Sequence, residues 1–126
     1  MKALAKKIPG LEVELLHEGR ALVITLVGRM DPSYFNNLNE LLHDTVKSDC
    51  RYFVGDLSQG THLSSTGVGF FGYYSRQIKE RGGEVIVVKP PQRITRVIEL
   101  TRLGELVKFF DTREEALAYV EKALRA

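Results

Sequence analysis

The sequence predicts a single α/β domain built around a largely parallel β-sheet. Apolar, β-branched segments of strand length alternate along the chain with segments whose apolar residues repeat at helical spacing. The first apolar segment instead alternates apolar and polar residues, which is typical of a half-exposed strand in an antiparallel hairpin. With 126 residues, the chain is long enough to bury about two-thirds of its unfolded surface in one domain.

The first half of the chain predicts a hairpin, a helix and a buried strand. Residues 11–15 alternate, residues 17–20 contain turn-forming residues, and residues 21–27 form a more continuous apolar run. Residues 34–46 place apolar side chains at helical spacing and predict an amphipathic helix packed on the sheet. Residues 51–57 form another apolar run, as expected for a parallel strand covered on both faces.

The second half continues the alternation of helix and strand. A helix is predicted after Gly67 and ends at Gly82-Gly83, since glycine often terminates helices. The later elements are a strand over residues 84–88, a short helix over 92–100, a strand over 106–110, helix-capping residues over 111–115 and a final helix over 116–124.

The composition limits the classes of function. The chain is 44% hydrophobic and 27% charged, as in an ordinary soluble protein. Its net charge of +2 is spread over interspersed acidic and basic residues, which gives no basis for direct binding to nucleic acid. The single cysteine, Cys50, excludes an internal disulfide and a cysteine-based metal site, so we expect it to be structural.

Residues 1–10 predict a flexible N-terminal arm, and residues 11–126 predict the folded domain. The arm is basic but lacks the apolar stretch of about 7–15 residues found in secretory signals. No later segment approaches the roughly 20 apolar residues needed to cross a bilayer. We therefore expect a cytoplasmic protein without membrane contact.

The helix after Gly67 carries more aromatic rings than one buried face accommodates. Its period places Val68, Phe71, Ser75 and Ile78 on one face. Phe70, Tyr73 and Tyr74 then point elsewhere. Aromatic stripes at helical spacing are more often core than interface, but exposed rings are frequent interface anchors.

A hydroxyl cluster lies where the strand over residues 51–57 is followed by this helix. Ser64, Ser65 and Thr66 can each cap the helix, because a short side-chain oxygen accepts from free N–H groups of the first turn. The same position also suits an anion, or phosphorylation of a serine beside the positive end of the helix dipole. Gly67-Val68-Gly69 lacks the third glycine and the lysine of nucleotide-binding motifs. Composition alone does not choose among capping, anion binding and phosphorylation.

Two short motifs frame the hydroxyl cluster: Asp56-Leu57-Ser58 and Ser65-Thr66-Gly67-Val68-Gly69. Together they resemble the signature of STAS domains, in particular of bacterial anti-sigma factor antagonists. The resemblance implies a central mixed sheet of four to five strands with an N-terminal hairpin and about four helices packed on it. It also implies that the phosphorylated serine is Ser65, with Thr66 as the alternative acceptor. Ser64 departs from the family, since most of these antagonists carry an aspartate there.

A third segment, Gly28-Arg29-Met30-Asp31, is similar to the element that follows the second strand of STAS domains. Asp31 precedes Pro32-Ser33 and also suits a helix start, so we expect it both to cap the helix and to shape the partner-facing surface. By resemblance and by the exposed-ring argument, the expected partner-binding residues are Asp31, Asp56, Ser64, Thr66, Gly67, Phe70 and Tyr74. Asp56 has a structural alternative, which is to satisfy nearby backbone amides.

The function implied by the resemblance is that of an anti-sigma factor antagonist. Such a protein binds an anti-sigma factor with serine kinase activity and so releases a sigma factor, until phosphorylation ends the binding. A phosphatase is a further candidate partner, and no metal, cofactor or catalytic residue is expected. Two alternatives stay open. One is a structural STAS subunit of a signalling or transport assembly, which Ser64 favours; the other is a small enzyme or nucleotide binder that uses the signature loop to hold phosphate, which the missing phosphate-loop lysine disfavours.

Overall fold

The computed structural model describes residues 10–30, 36, 38, 50–63, 65–90, 92–100, 102–105 and 107–125. The strands are β1 (Leu11–Leu16), β2 (Ala21–Met30), β3 (Tyr52–Leu63), β4 (Glu84–Val88) and β5 (Val107–Phe110). The helices within these residues are α1 (Ser65–Glu80), α2 (Gln92–Leu100) and α3 (Arg113–Arg125). Short 3-10 turns cover His17–Gly19 and Arg102–Glu105.

The strands form one mixed five-stranded sheet in the order β1-β2-β3-β4-β5. β1 and β2 pair antiparallel through the turn at His17–Gly19, which confirms the predicted hairpin. The other three pairings are parallel. The carboxyl ends of β2, β3 and β4 therefore meet at one edge of the sheet, where α1 and α2 begin.

Alternating strand residues supply two separate apolar clusters, one on each face of the sheet. Leu22 and Ile24 of β2 belong to the cluster that α1 covers. Ala21 and Val23 belong to the cluster on the other face, which α3 covers through Val120. Because both faces are covered, β4, most of β2 and the first half of β3 have nearly continuous apolar sequences, as predicted.

Three α-helices are described, against about four predicted. The helix expected over residues 34–46 lies mostly outside the described residues, although Asn36 and Leu38 are helical and Leu38 is buried. The expected arm over residues 1–10 also lies outside them, apart from Gly10. Within the described part of the chain, no helix combines the length and apolar character needed to cross a bilayer.

The last helix begins three residues earlier than the predicted residue 116, at Arg113. Thr112 precedes it, and its Oγ1 accepts a hydrogen bond from the Glu115 amide at 3.1 Å and donates one to Glu115 Oε1 at 2.9 Å. This arrangement is a variant of the capping box, in which a hydroxyl and an acidic residue close the first turn. The early start matters because it places Arg113 over the sheet.

Cys50 lies just before β3 and is 1% exposed. Burial raises the pKa of its thiol from 9.0 to about 11. We expect the folded protein at pH 8 to react with a disulfide reagent at least about a hundredfold more slowly than urea-unfolded protein, since two pKa units reduce the thiolate fraction by that factor. Between pH 9 and about pH 11 the thiol ionises in the unfolded chain but not in the folded protein. The contribution of the buried thiol to the free energy of unfolding is therefore complete below pH 9 and is lost as the pH approaches 11. Reaction of the folded protein within about tenfold of the unfolded rate would contradict this assignment.

Candidate functional site

The signature segment spans the carboxyl end of β3 and the start of α1. β3 does not end at residue 57, as predicted, but continues to Leu63, and α1 begins at Ser65. The longer strand forms because β2 also extends, through Met30, and pairs with it. Ser65 is therefore the first residue of a 16-residue helix at the end of a central strand.

The pairing of β3 with β2 shifts register twice along this extension. Thr25 faces Asp56 and Val27 faces Gln59, so that β3 uses one more residue than β2 over this interval. A second shift follows beyond Gly60. Such extra residues interrupt the ladder and re-aim the strand, and they are common beside functional sites.

The Asp56 carboxylate lies at the first register shift and is 4% exposed. Its Oδ1 accepts hydrogen bonds from the Ser58 amide at 3.0 Å and from the Ser58 hydroxyl at 2.7 Å. Its Oδ2 is paired with Nη1 of Arg113 at 3.4 Å. Asp56 is thus an internal polar group that satisfies a backbone amide, which is its predicted structural alternative. It is not exposed, as the predicted partner contact would require.

Arg113, at the start of α3, connects three strands. Besides Asp56, its Nη1 donates to Oγ1 of Thr25 in β2 at 2.7 Å, and its Nη2 donates to Oε1 of Glu14 in β1 at 2.6 Å. The sequence analysis missed this residue because it lies within the helix-capping segment over residues 111–115. The one available signal was Asp56, since an aspartate in a buried strand needs a cation as a partner. The order of residues in the sequence does not show which cation that is.

Phe70 and Tyr74 are buried, so the expectation that their rings lie exposed on α1 as interface anchors is wrong. They are 7% and 3% exposed, and both belong to the core cluster under α1. Their rings lie 6.1 and 5.6 Å from the ring of Phe53 in edge-on arrangements. Burial, with a smaller effect of Tyr73, raises the pKa of Tyr74 to about 12. The ring of Phe71 packs against β3 because Gly55 has no side chain: a Cβ there would lie 2.7 Å from Phe71.

The solvent-facing side of α1 carries a different set of residues, here called the exposed stripe: Gly69, Tyr73, Arg76 and Glu80. Tyr73 is 52% exposed, whereas the other described rings of α1, Phe70, Phe71 and Tyr74, are buried. These positions recur at intervals of three and four residues and so share one helix face. Position 65 is one turn before Gly69 and falls on the same face.

Several predicted site residues lie at the limits of the described structure. Asp31 and Ser64 lie outside the described residues, and for Ser65 and Thr66 the structure describes the helical backbone alone. Gly67 is buried in the first turn of α1. Their roles in partner binding and phosphorylation stay predictions.

An open groove of about 450 Å³ lies between the middle of β3 and the segment that follows β4. It is lined by Leu57, Ser58, Gly60, Lys89, Pro90, Gln92 and Thr95. Among these described lining residues, Lys89 is the one that carries a charge. Across the residues that the structure describes, no group of three or more histidine, cysteine or acidic side chains is placed to hold a metal ion.

Comparison with known proteins identifies the family. The family model for the STAS domain matches residues 12–116. A curated relative from Paenibacillus polymyxa, an anti-sigma F factor antagonist, is 24% identical over 114 residues, which cover 88% of this chain and 96% of that protein.

Two solved structures of one protein have a similar fold. The anti-sigma factor antagonist SpoIIAA in its unphosphorylated form has a TM-score of 0.75 at 18% identity, over 88% of this chain and 97% of that chain. The phosphorylated form of SpoIIAA, a Bacillus cell fate determinant, has a TM-score of 0.73 at 20% identity, over 87% of this chain and 98% of that chain. At this level of identity the likeness shows the fold, and together with the family match it leads to one conclusion. The chain belongs to the STAS domain family.

Proposed function

We propose that this protein is an anti-sigma factor antagonist that binds an anti-sigma factor with serine kinase activity and is released from it by phosphorylation of Ser65. The observation that carries the proposal is the position of the signature motif. Within a family match over residues 12–116, its acceptor serine falls on the first residue of α1. The curated relative from Paenibacillus polymyxa is an antagonist of this class, and SpoIIAA exists in both phosphorylation states.

The helix start suits a phosphoryl group for electrostatic reasons. The kinase would transfer the γ-phosphoryl group of ATP to the Ser65 hydroxyl, and ADP would leave. The product adds about −1.5 to −2 charges beside N–H groups that carry a partial positive charge. The first turn of α1 contains no acidic residue that would repel this charge. The modified protein is therefore expected to stay folded, and the change acts on the surface that meets the partner.

The exposed stripe of α1 is the surface that we assign to the partner. Tyr73 provides a large exposed ring, and tyrosine and arginine are enriched among residues that dominate binding energy. Arg76 lies on the same face. Because position 65 lies at one end of this stripe, a phosphate there would be desolvated by a partner that covers the stripe.

The proposal is tested by incubating the protein with ATP and each kinase-type anti-sigma factor of its source organism, then mapping added phosphate by mass spectrometry. We expect one phosphate on Ser65, no phosphate in a Ser65→Ala variant, and loss of the complex on phosphorylation. Phosphate on Thr66 in the Ser65→Ala variant would identify the alternative acceptor.

The absence of phosphate from every such kinase, with folded protein, would contradict the switch. The outcome would favour a structural STAS subunit that uses the same face without reversible modification. That alternative draws support from Ser64, which stands where most antagonists carry an aspartate.

A further inference from the structure

We propose that Arg113 is a positioning residue for the signature segment. It fixes the Asp56 carboxylate at the first register shift of β3, and that shift sets the path of the strand toward Ser65. The effect on phosphorylation rests on the proposed function, whereas the effect on the order of the segment does not.

The first register shift changes the backbone pairing between β2 and β3. Between Asp56 and Gln59, β3 has one residue more than the facing part of β2. An extra residue leaves local backbone groups out of the ladder, so they need other hydrogen-bond partners. Here the Ser58 amide donates to Asp56 Oδ1 at 3.0 Å. The carboxylate therefore stabilises the shifted register.

Arg113 pairs with the Asp56 carboxylate from the start of α3. Nη1 of Arg113 lies 3.4 Å from Oδ2 of Asp56 and donates to Oγ1 of Thr25 at 2.7 Å. Thr25 and Asp56 are the facing pair immediately before the shift, and each is 4% exposed. One guanidinium thus joins the two strands at the last regular pair and supplies the charge opposite a buried carboxylate.

The geometry requires arginine. Its second nitrogen, Nη2, donates to Glu14 on β1 at 2.6 Å while Nη1 serves the inner pair. A planar guanidinium presents donors in a fixed fork, whereas the lysine ammonium is a single point charge on a flexible chain. The contact with Glu14 is exposed, since the side chains of Arg113 and Glu14 are 32% and 48% exposed. Exposed ion pairs of this kind contribute little to stability.

The register of β3 also affects the chain that leads into α1. A change of register by one residue moves each following side chain to the opposite face of a strand. β3 continues from the shift to Leu63, and α1 starts at Ser65. Loosening of Asp56 therefore allows alternative registers over the segment that presents Ser65, while β4 and its pairing with the first part of β3 stay intact.

The test compares amide hydrogen exchange in the full-length protein and an Arg113→Met variant. We expect exchange to accelerate about tenfold or more at Ser58 and Gln59 and by less than about threefold at Ile86 and Val87 in β4, because local opening is independent of global unfolding. A Glu14→Gln variant, which removes only the negative charge from the exposed contact, should change neither region by more than about threefold.

A second readout is the rate of Ser65 phosphorylation by the kinase found above. We expect Arg113→Met to lower kcat/KM about tenfold, and to have little further effect in an Asp56→Asn background, because residues that act through one contact are not additive. If the wild-type protein is not phosphorylated, the proposed function fails, and the exchange comparison still decides the positioning role.

Equal acceleration in β3 and β4 would overturn the inference, since it would show loss of global stability alone. A response no larger than that of Glu14→Gln would also overturn it. If Arg113→Met unfolds, Arg113→Lys keeps the charge but not the fork, and it must show the same selective acceleration at Ser58 for the inference to stand.

Discussion

A Ser65→Asp variant is expected to bind its anti-sigma factor more than about a hundredfold more weakly than the wild type, which corresponds to a loss of about 3 kcal/mol. The variant places a fixed negative charge at the start of α1, at the end of the exposed stripe. In a close-packed interface this charge must be desolvated and meets groups arranged for a neutral hydroxyl. Binding is measured by titration calorimetry with the partner identified by phosphorylation.

The fold of this variant should be unaffected. Aspartate is favourable in the first turn of a helix because it complements the dipole and accepts from free N–H groups. The circular dichroism spectrum and the urea unfolding midpoint should therefore match those of the wild type. A loss of binding then reports on the surface and not on folding.

A matched control places the same charge elsewhere. Ala118 is an exposed residue of α3, on the opposite face of the sheet from α1. An Ala118→Asp variant has the same net charge as Ser65→Asp and should bind within about threefold of the wild type, because a distant exposed charge is screened by salt. Equal weakening in both variants would point to net charge, and unchanged binding in Ser65→Asp would contradict the proposed switch.

The sequence predicted the order of elements because both faces of the sheet are covered. Continuous apolar runs such as residues 84–88 predict buried parallel strands, and β4 lies at those residues. The length of β3 was missed for a related reason. Its second half contains Ser58, Gln59 and Gly60, which are typical of loops, and it is a strand because the extended β2 supplies backbone partners that local propensity does not reveal.

The candidate site shows where sequence reasoning stops. The signature motif indicates Ser65, but the helical period of α1 did not predict that Phe70 and Tyr74 are core, because the width of the buried face depends on tertiary contacts, here with the ring of Phe53 in β3. Arg113 was missed for a different reason. Its contacts to Asp56 and Thr25 span 57 and 88 residues of sequence, and only the three-dimensional fold brings those residues together.

A Phe53→Ala variant is expected to lose about 3–5 kcal/mol of unfolding free energy, the usual cost of removing a buried phenylalanine ring. Phe53 is fully buried, and its ring lies 6.1, 6.1 and 5.6 Å from the rings of Phe70, Phe71 and Tyr74. Its removal takes from α1 the central ring against which the helix packs. The loss is measured by urea unfolding, in which the midpoint should fall while the slope m stays constant.

Tyr73→Ala is the matched control, since it removes a ring of similar size from the exposed side of the same helix. Tyr73 is 52% exposed and lies 5.2 Å from the Tyr74 ring, so we expect a loss below about 1 kcal/mol. The two variants should then separate stability from binding: Phe53→Ala lowers the unfolding free energy, whereas Tyr73→Ala leaves it nearly unchanged and weakens the partner complex. A reversed order of stability would show that α1 is not held to the sheet through Phe53. Wild-type binding by Tyr73→Ala would remove the exposed stripe from the partner surface while leaving the phosphorylation of Ser65 to be judged by its own test.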